Sequence, residues 1–236
     1  MNVFLIGQGN VGTALSNFLQ ARGITYEILE KVPEEKNGIL FLAVSDSAVK
    51  PLLEETLRKN PEIFAVHFSA ATHFEDNRVF LLHPYSSINK KTELNQILFT
   101  LWGEKNPAFE EMLKKTGLDF VYCGKSPGPL YHASAVMSGN FTQFFALKAL
   151  QILQSSGFSK EVAEKLIRQL VNSSLDNIFR DGIKGITGPA ARGEKEVLIN
   201  EINALSEKDK EFAELFKAVN EAISESFAEA VKTDKT

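Results

Sequence analysis

The chain has 236 residues, enough for one large domain or two small ones at roughly 100–200 residues each. Hydrophobic residues at 44% and charged residues at 24% exclude a disordered, collagenous or low-complexity chain. A formal charge of −4 leaves no basic excess for a nucleic-acid backbone or an anionic membrane, and neither is expected as a partner.

The first predicted element is a short apolar run, Val3–Ile6, ending in glycine as a fully buried parallel strand does. No basic leader or cleavage-site pattern precedes it, and the one cysteine, Cys123, cannot form an internal disulfide, so a cytoplasmic location is expected. Cys123 itself reads as a small core residue. Val11, Ala14, Leu15, Phe18 and Leu19 stand at helical spacing and predict a helix over 11–22, closed by Gly23. Strands follow at Tyr26–Leu29 and Ile39–Val44, then a helix at Val49–Leu57 with Asp46 as its N-cap. Further strands are predicted at Ile63–Phe68, Val79–Leu82, Leu98–Trp102 and Phe120–Tyr122, with a helix at Ala108–Thr116 before the last. Strands alternating with helices predict an α/β domain with a parallel sheet covered on both faces.

Gly124-Lys125-Ser126-Pro127-Gly128-Pro129 interrupts this pattern and divides a dinucleotide-binding domain, 1–123, from an all-helical domain, 124–236. Leu130–Leu153 is apolar on nearly all sides, as in a helix buried in a bundle or a subunit interface. Its Ser138, Asn140, Gln143 and Lys148 make it too polar to span a bilayer. Ser159–Phe179 starts at a serine N-cap, the glycine-rich Arg180–Glu194 reads as a loop, and Lys195–Leu205 and Lys208–Val231 read as helices.

The strongest chemical signal is Gly7-Gln8-Gly9-Asn10-Val11-Gly12, set between the first strand and the first helix. Gly7 permits the tight turn, Gly9 lets backbone approach a pyrophosphate, and Gly12 lets the helix sit close to the strand. Glu30, at the end of the second strand, suits the ribose hydroxyls of NAD, whereas Lys31 beside it suits the 2′-phosphate of NADP. Val44 and Ser45 fall at the carboxyl edge of the sheet, where ligands bind in open α/β folds.

Four histidines could trade a proton near neutral pH: His67, His73, His83 and His132. His67 and His83 each follow a strand, whereas His73 sits in a polar loop and reads as inert. His132 opens the central helix, and Asn140 lies eight residues on, about 80° round the same helix. Arg192, in a glycine-rich loop, is the candidate grip for a substrate carboxylate or phosphate. No H-E-x-x-H, cysteine pair or close His/carboxylate cluster occurs, and no metal is expected.

Gly7–Gly12, Leu42-Ala43-Val44-Ser45-Asp46, His67-x-Ser69, His83-Pro84, Tyr131-His132…Asn140-Phe141 and Thr187-Gly188-Pro189…Arg192-Gly193 resemble one family in order and spacing. It is the family of Rossmann-like plus DUF2520 proteins, grouped with oxidoreductases of the pyrroline-5-carboxylate reductase, F420-dependent NADP reductase and 6-phosphogluconate dehydrogenase C-terminal-like type. The resemblance covers nearly the whole chain. It implies a Rossmann-type parallel sheet domain followed by an all-helical, 6-phosphogluconate dehydrogenase C-terminal-like domain that pairs two chains, with NADP or NAD as cofactor. It supplies no substrate. The chain departs from the family in the short linker after Tyr26–Leu29, where the usual helix and strand are missing or rudimentary. It departs again in His67-Phe68-Ser69-Ala70, where the family has His-x-Ser-Gly. No lysine lies between Lys125 and Lys148, so the lysine mechanism of related hydroxyacid dehydrogenases does not carry over.

Two readings stand. One is an NAD(P)-dependent oxidoreductase moving hydride to or from a small anionic carbonyl or imine, with His132, Asn140 and His83 catalytic and Arg192 and Ser69 holding substrate. The other is a non-catalytic dinucleotide-binding or sensing protein, since the fold alone does not decide function.

Overall fold

Two strands of continuous aliphatic and aromatic residues, β1 (Val3–Ile6) and β3 (Gly38–Leu42), are buried on both faces and lie side by side inside the sheet. The structure, a computed structural model, describes residues 1–233. It divides into two compact units, Met1–Phe144 and Phe145–Thr236. Residues 234–236, at the end of the expected helical domain, lie outside the described residues.

In the first unit, β1 leads through α1 (Asn10–Ala21) to β2 (Glu27–Leu29), and β3 leads through α2 (Asp46–Lys59) to β4 (Ile63–His67). Next come β5 (Val79–His83), β6 (Leu98–Trp102), α3 (Pro107–Lys115) and β7 (Asp119–Gly124). The seven strands are ordered β2-β1-β3-β4-β5-β6-β7. Neighbours are parallel except β5 and β6, which run antiparallel with His83 opposite Thr100. The parallel sheet expected from the sequence is present, and the β5–β6 pair departs from it. The connection between β5 and β6 holds only a short 3₁₀ turn, Leu94–Gln96, with no crossover helix to return the chain to the far edge.

The short linker noted in the sequence puts β2 at the sheet edge. It is fastened without a helix of its own. Val32 is buried against α2, and the Asn60 amide donates to the Pro33 carbonyl (2.8 Å) while its carbonyl oxygen accepts from the Lys36 amide (2.9 Å). One face of the sheet packs on α1 and α3 through Leu15, Leu19, Phe109 and Leu113, the other on α2 through Val49 and Leu53. Asp46 is not the N-cap of α2: Ser45 takes that place and Asp46 is the first helical residue, favourable to the helix dipole. Cys123 is not in the core either. It lies on the more exposed face of β7, the last strand, where alternate residues are open to solvent.

Beyond the loop at 124–129, the chain enters α4 (Pro129–Val136), a π-helical turn (Met137–Phe141) and α5 (Thr142–Ser155). The boundary between compact units falls after Phe144, so α4 and the π turn go with the sheet. None of these helical residues is buried, despite the all-round apolarity; Leu130 is 84% exposed. The second unit continues with α6 (Lys160–Asp181), α7 (Pro189–Arg192), α8 (Lys195–Ser206) and α9 (Lys210–Thr233). The Ser159 side chain caps α6 by accepting from the Val162 amide. Arg180–Glu194 is not all loop, since it contains a 3₁₀ turn at Gly182–Gly185 and the single turn of α7. Lys148 bonds Asp209 (2.6 Å) and lies over the Phe212 ring, joining α5 to the start of α9. Among the described residues no helix is long and apolar enough to cross a membrane.

Candidate functional site

The glycine turn occupies the point where sheet order reverses, between the carboxyl ends of β1 and β3. Gly7 has φ +101°, and a Cβ there would collide with the Ala43 carbonyl; a Cβ on Gly12 would collide with the Gly7 carbonyl. These two glycines bring α1 hard against the strand ends. Gly9 differs, because nothing lies within 4 Å of the place its Cβ would occupy. Its carbonyl takes the Thr13 amide (2.9 Å), the first bond of α1, so the amides of Asn10, Val11 and Gly12 precede the helical ladder. Gln8, Gly9, Asn10, Val11, Val44, Ser45 and Ser69 border one open cleft of about 560 Å³. An open cradle of unpaired amides at a positive helix end fits a pyrophosphate. Glu30 and Lys31 are exposed beyond β2 and do not line this cleft.

A second cleft in the same unit, about 520 Å³, brings together His83, His132 and Asn140, the three residues the sequence assigns to catalysis. His83 comes from the end of β5, and His132 from the first turn of α4. Asn140 comes from the π turn, whose wider i→i+5 winding changes the helix phase; Ser138 and Gly139 of that turn reach the cleft as well. Ser86, Ser87, Thr142 and Gln143 add hydroxyls and an amide beside the apolar Ala135 and Val136, and the Gln143 amide donates to the Ser87 hydroxyl (3.1 Å).

Beneath this cleft lies a hydrogen-bonded chain that sequence reasoning missed. The Trp102 indole donates to Thr100 Oγ1 (3.0 Å), Thr100 Oγ1 bonds the Tyr131 hydroxyl (2.6 Å), and that hydroxyl bonds His83 Nδ1 (2.7 Å). The Tyr131 ring also meets His83, Tyr85 and Trp102 edge-on. Burial, with a smaller push from His132, lowers the His83 imidazole to about 4, and burial raises the Tyr131 phenol.

The other expected residues are placed elsewhere. Arg192, in the second unit, spans both carboxylate oxygens of Glu194 (2.7 and 2.8 Å) and donates to the Thr187 carbonyl, so its fork is already engaged. His73 is exposed and bridges Ser126 and Glu75. Cys123 has its thiol pushed up by burial, away from nucleophilic use. His67 is 2% exposed at the end of β4, its Nδ1 makes no hydrogen bond, and burial pushes the ring down to about 4. Among the described residues no cluster of His, Cys, Asp and Glu could hold a metal.

A seven-stranded, mostly parallel sheet with a glycine turn at its switch point, followed by a helical region, defines a Rossmann-type protein. Residues 99–223 match a family described as a domain of unknown function, DUF2520, and the chain belongs to that family. Among curated proteins no relative matches. Solved structures share the fold. One is a Bacteroides fragilis protein provisionally described as an NADP oxidoreductase, with 20% identity, TM-score 0.76, and coverage of 95% of this chain and 98% of that one. Another is a reductive aminase from Aspergillus terreus in complex with NADPH and ethyl levulinate (18%, TM-score 0.67, 95% and 94%). A third is an imine reductase from Myxococcus stipitatus in complex with NADP+ (16%, TM-score 0.66, 99% and 95%).

His67 makes the fold sensitive to acid. The folded ring stays neutral to about 4, while the unfolded chain takes up a proton below its ordinary 6.5. The contribution is therefore intact above pH 6.5 and is lost as the pH falls toward 4. Between pH 7 and pH 5 the loss from this one group is about 2 kcal/mol. Urea unfolding of wild type and His67→Asn at both pH values should show the variant losing less stability by about that amount.

Proposed function

We propose that the protein is an NAD(P)-dependent oxidoreductase that acts on a small carbonyl or imine bound in the His83–His132–Asn140 cleft. The observation that carries this reading is the glycine cradle at the β1/β3 switch point, open over Gly9 and bordered by Val44, Ser45 and Ser69. The solved structures with NADPH or NADP+ bound, which share the fold, support the same cofactor here. The amides at the start of α1 would hold the pyrophosphate. When bound, the nicotinamide supplies or accepts hydride. His132, exposed on the cleft, gives or takes the proton that accompanies it, and Asn140 orients the reacting oxygen or nitrogen. β1, β3, β4 and β5 are successive parallel neighbours, so the cradle, Ser45, Ser69 and His83 all follow or end strands at one edge of the sheet. Glu194 holds the Arg192 fork, so Arg192 has no part in binding the substrate in this reading.

Gly9→Val would put a branched side chain into space the fold leaves empty, so it should abolish NADPH and NADH binding while keeping wild-type stability. Fluorescence titration of both nucleotides against both proteins checks this, and equal binding by the variant overturns the cradle. A screen of small keto acids, aldehydes and imines for NAD(P)H oxidation then tests the chemistry. His132→Ala should lower kcat roughly 10²–10⁴-fold with little change in nucleotide affinity. Nucleotide binding with no turnover on any of these substrates returns the protein to the binding-only reading.

We also propose that the helical region pairs two copies of this chain. Among the described residues, the buried hydrophobic ones of the second unit are Phe212 with Ala163, Ala190 and Ala213, whereas Val162, Leu166, Leu170 and Phe179 stand exposed along α6. Val162, Leu166 and Leu170, four residues apart and 48%, 42% and 68% exposed, share one face of that helix, an apolar stripe that a second copy would cover. Light scattering at micromolar concentration should give twice the 26.2 kDa chain mass, and Leu170→Asp should return it to the monomer value. A wild-type monomer refutes the pairing.

A further inference from the structure

We infer that Tyr131, held by Thr100 and Trp102, is a positioning residue that fixes His83 as a neutral Nε2–H imidazole, a stationary hydrogen-bond donor to the substrate. The use made of that donor rests on the oxidoreductase reading; the direction of the hydrogen-bonded chain does not. An indole N–H can only donate, so Trp102 gives its hydrogen to Thr100 Oγ1 (3.0 Å), with the Tyr131 hydroxyl beside it as a second acceptor. Thr100 then has one hydrogen and two destinations, the Tyr131 hydroxyl at 2.6 Å and the His83 carbonyl at 3.4 Å. The reverse direction would have Thr100 accept from both Trp102 and Tyr131 and spend its own hydrogen on the contact at the limit of bonding distance. Thr100 therefore donates to Tyr131, and the Tyr131 hydrogen goes to His83 Nδ1 at 2.7 Å. A neutral ring that accepts at Nδ1 carries its proton on Nε2. Nε2 makes no hydrogen bond among the described residues, and His83 borders the cleft with His132 and Asn140.

The groups facing His83 keep it uncharged. α4 contributes His132 and Tyr131, the loop after β5 contributes Tyr85, and β7 contributes Cys123 behind Tyr131; none is a carboxylate. Burial and the nearby His132 both disfavour the cation. A neutral imidazole of this kind is a poor proton carrier at pH 7 but a competent donor to a carbonyl oxygen or imine nitrogen as charge develops there. His83 thus polarises the substrate and holds its place, and the travelling proton belongs to His132.

Two-bond ¹H–¹⁵N correlation spectra of the full chain, uniformly ¹⁵N-labelled and free of ligand, test this directly. His83→Gln identifies the His83 resonances. Wild type at pH 7 and pH 6 should show one fixed, neutral Nε2–H tautomer. Tyr131→Phe should give a pattern averaged between the two tautomers, whereas Thr100→Ser, which keeps the hydroxyl, should match wild type. A protonated ring or an Nδ1–H tautomer in wild type at pH 7 overturns the proposal, and so does a Tyr131→Phe pattern unchanged from wild type. Should Tyr131→Phe not fold, the wild-type spectrum alone decides the tautomer. Failure of wild type to bind either nucleotide would sink the oxidoreductase reading and leave this result standing, so the two failures are distinguishable.

Discussion

The close backbone approach at the ends of β1 and β3 is the constraint on which the rest of the first unit depends. The Ala43 amide donates to the Ile6 carbonyl (2.8 Å), Gly7 turns away beneath the Ala43 carbonyl, and Gly12 seats α1 on the Gly7 carbonyl. Any side chain at either glycine would push helix and strands apart. That tightness leaves space elsewhere. With Gly7 and Gly12 filling the join, Gly9 and the first amides of α1 are turned to an open cleft instead of to protein. Packing and ligand cradle are one feature seen from two sides.

Parallel pairing extends this feature along the sheet. Because β1, β3, β4 and β5 run the same way, each delivers its carboxyl end to the same edge, and residues far apart in sequence arrive there in strand order. The reversal at β6 then adds what a parallel strand at that place would not. Antiparallel pairing puts Thr100 directly opposite His83, and Trp102, two residues on, projects from the same face. Tyr131 closes over both. The hydrogen-bonded chain under His83 is thus a product of register, with each partner supplied by a different element.

These origins decide what the sequence made legible. The glycine turn could be read because its requirements are local: a strand, three spaced glycines and a helix within a dozen residues. The same is true of the short linker after β2, whose length alone excludes a further helix and strand. His83, His132 and Asn140 could be proposed from residue type and place along their elements, and one cleft does contain them. Tyr131, Thr100 and Trp102 could not be joined to His83, because nothing in the sequence states that β6 turns back on β5. Cys123, expected in the core, lies exposed for a related reason. Its burial depends on whether its strand lies inside the sheet or at the end, and β7 is the last strand. Arg192 shows a third limit: the carboxylate that occupies its fork is only two residues away, yet an isolated arginine in a glycine-rich segment reads the same whether its partner is Glu194 or a ligand.

The central helical stretch shows how one apolar pattern can serve two ends. Read as a single uniform helix, 130–153 has more hydrophobic surface than any position in a small domain could cover. The structure breaks that uniformity at Met137–Phe141, where the winding loosens to a π turn. An ideal α-helix would carry Asn140 about 80° round from His132. The looser turn changes that phase, and His132 from α4 and Asn140 from the π turn border a single cleft. A π turn is less favourable than regular helix and persists where its surroundings compensate. Here the compensation includes the bond from Gln143, just past the turn, to Ser87 in the loop after β5, which ties the helix back to the sheet that carries His83. Leu130 and Met137 remain exposed on the same stretch, while Phe145 packs on the Phe212 ring and Ala135 and Val136 border the cleft beside Ser138, Asn140 and Gln143. The apolar pattern that looks like a core helix is thus divided between packing, cleft lining and exposed surface.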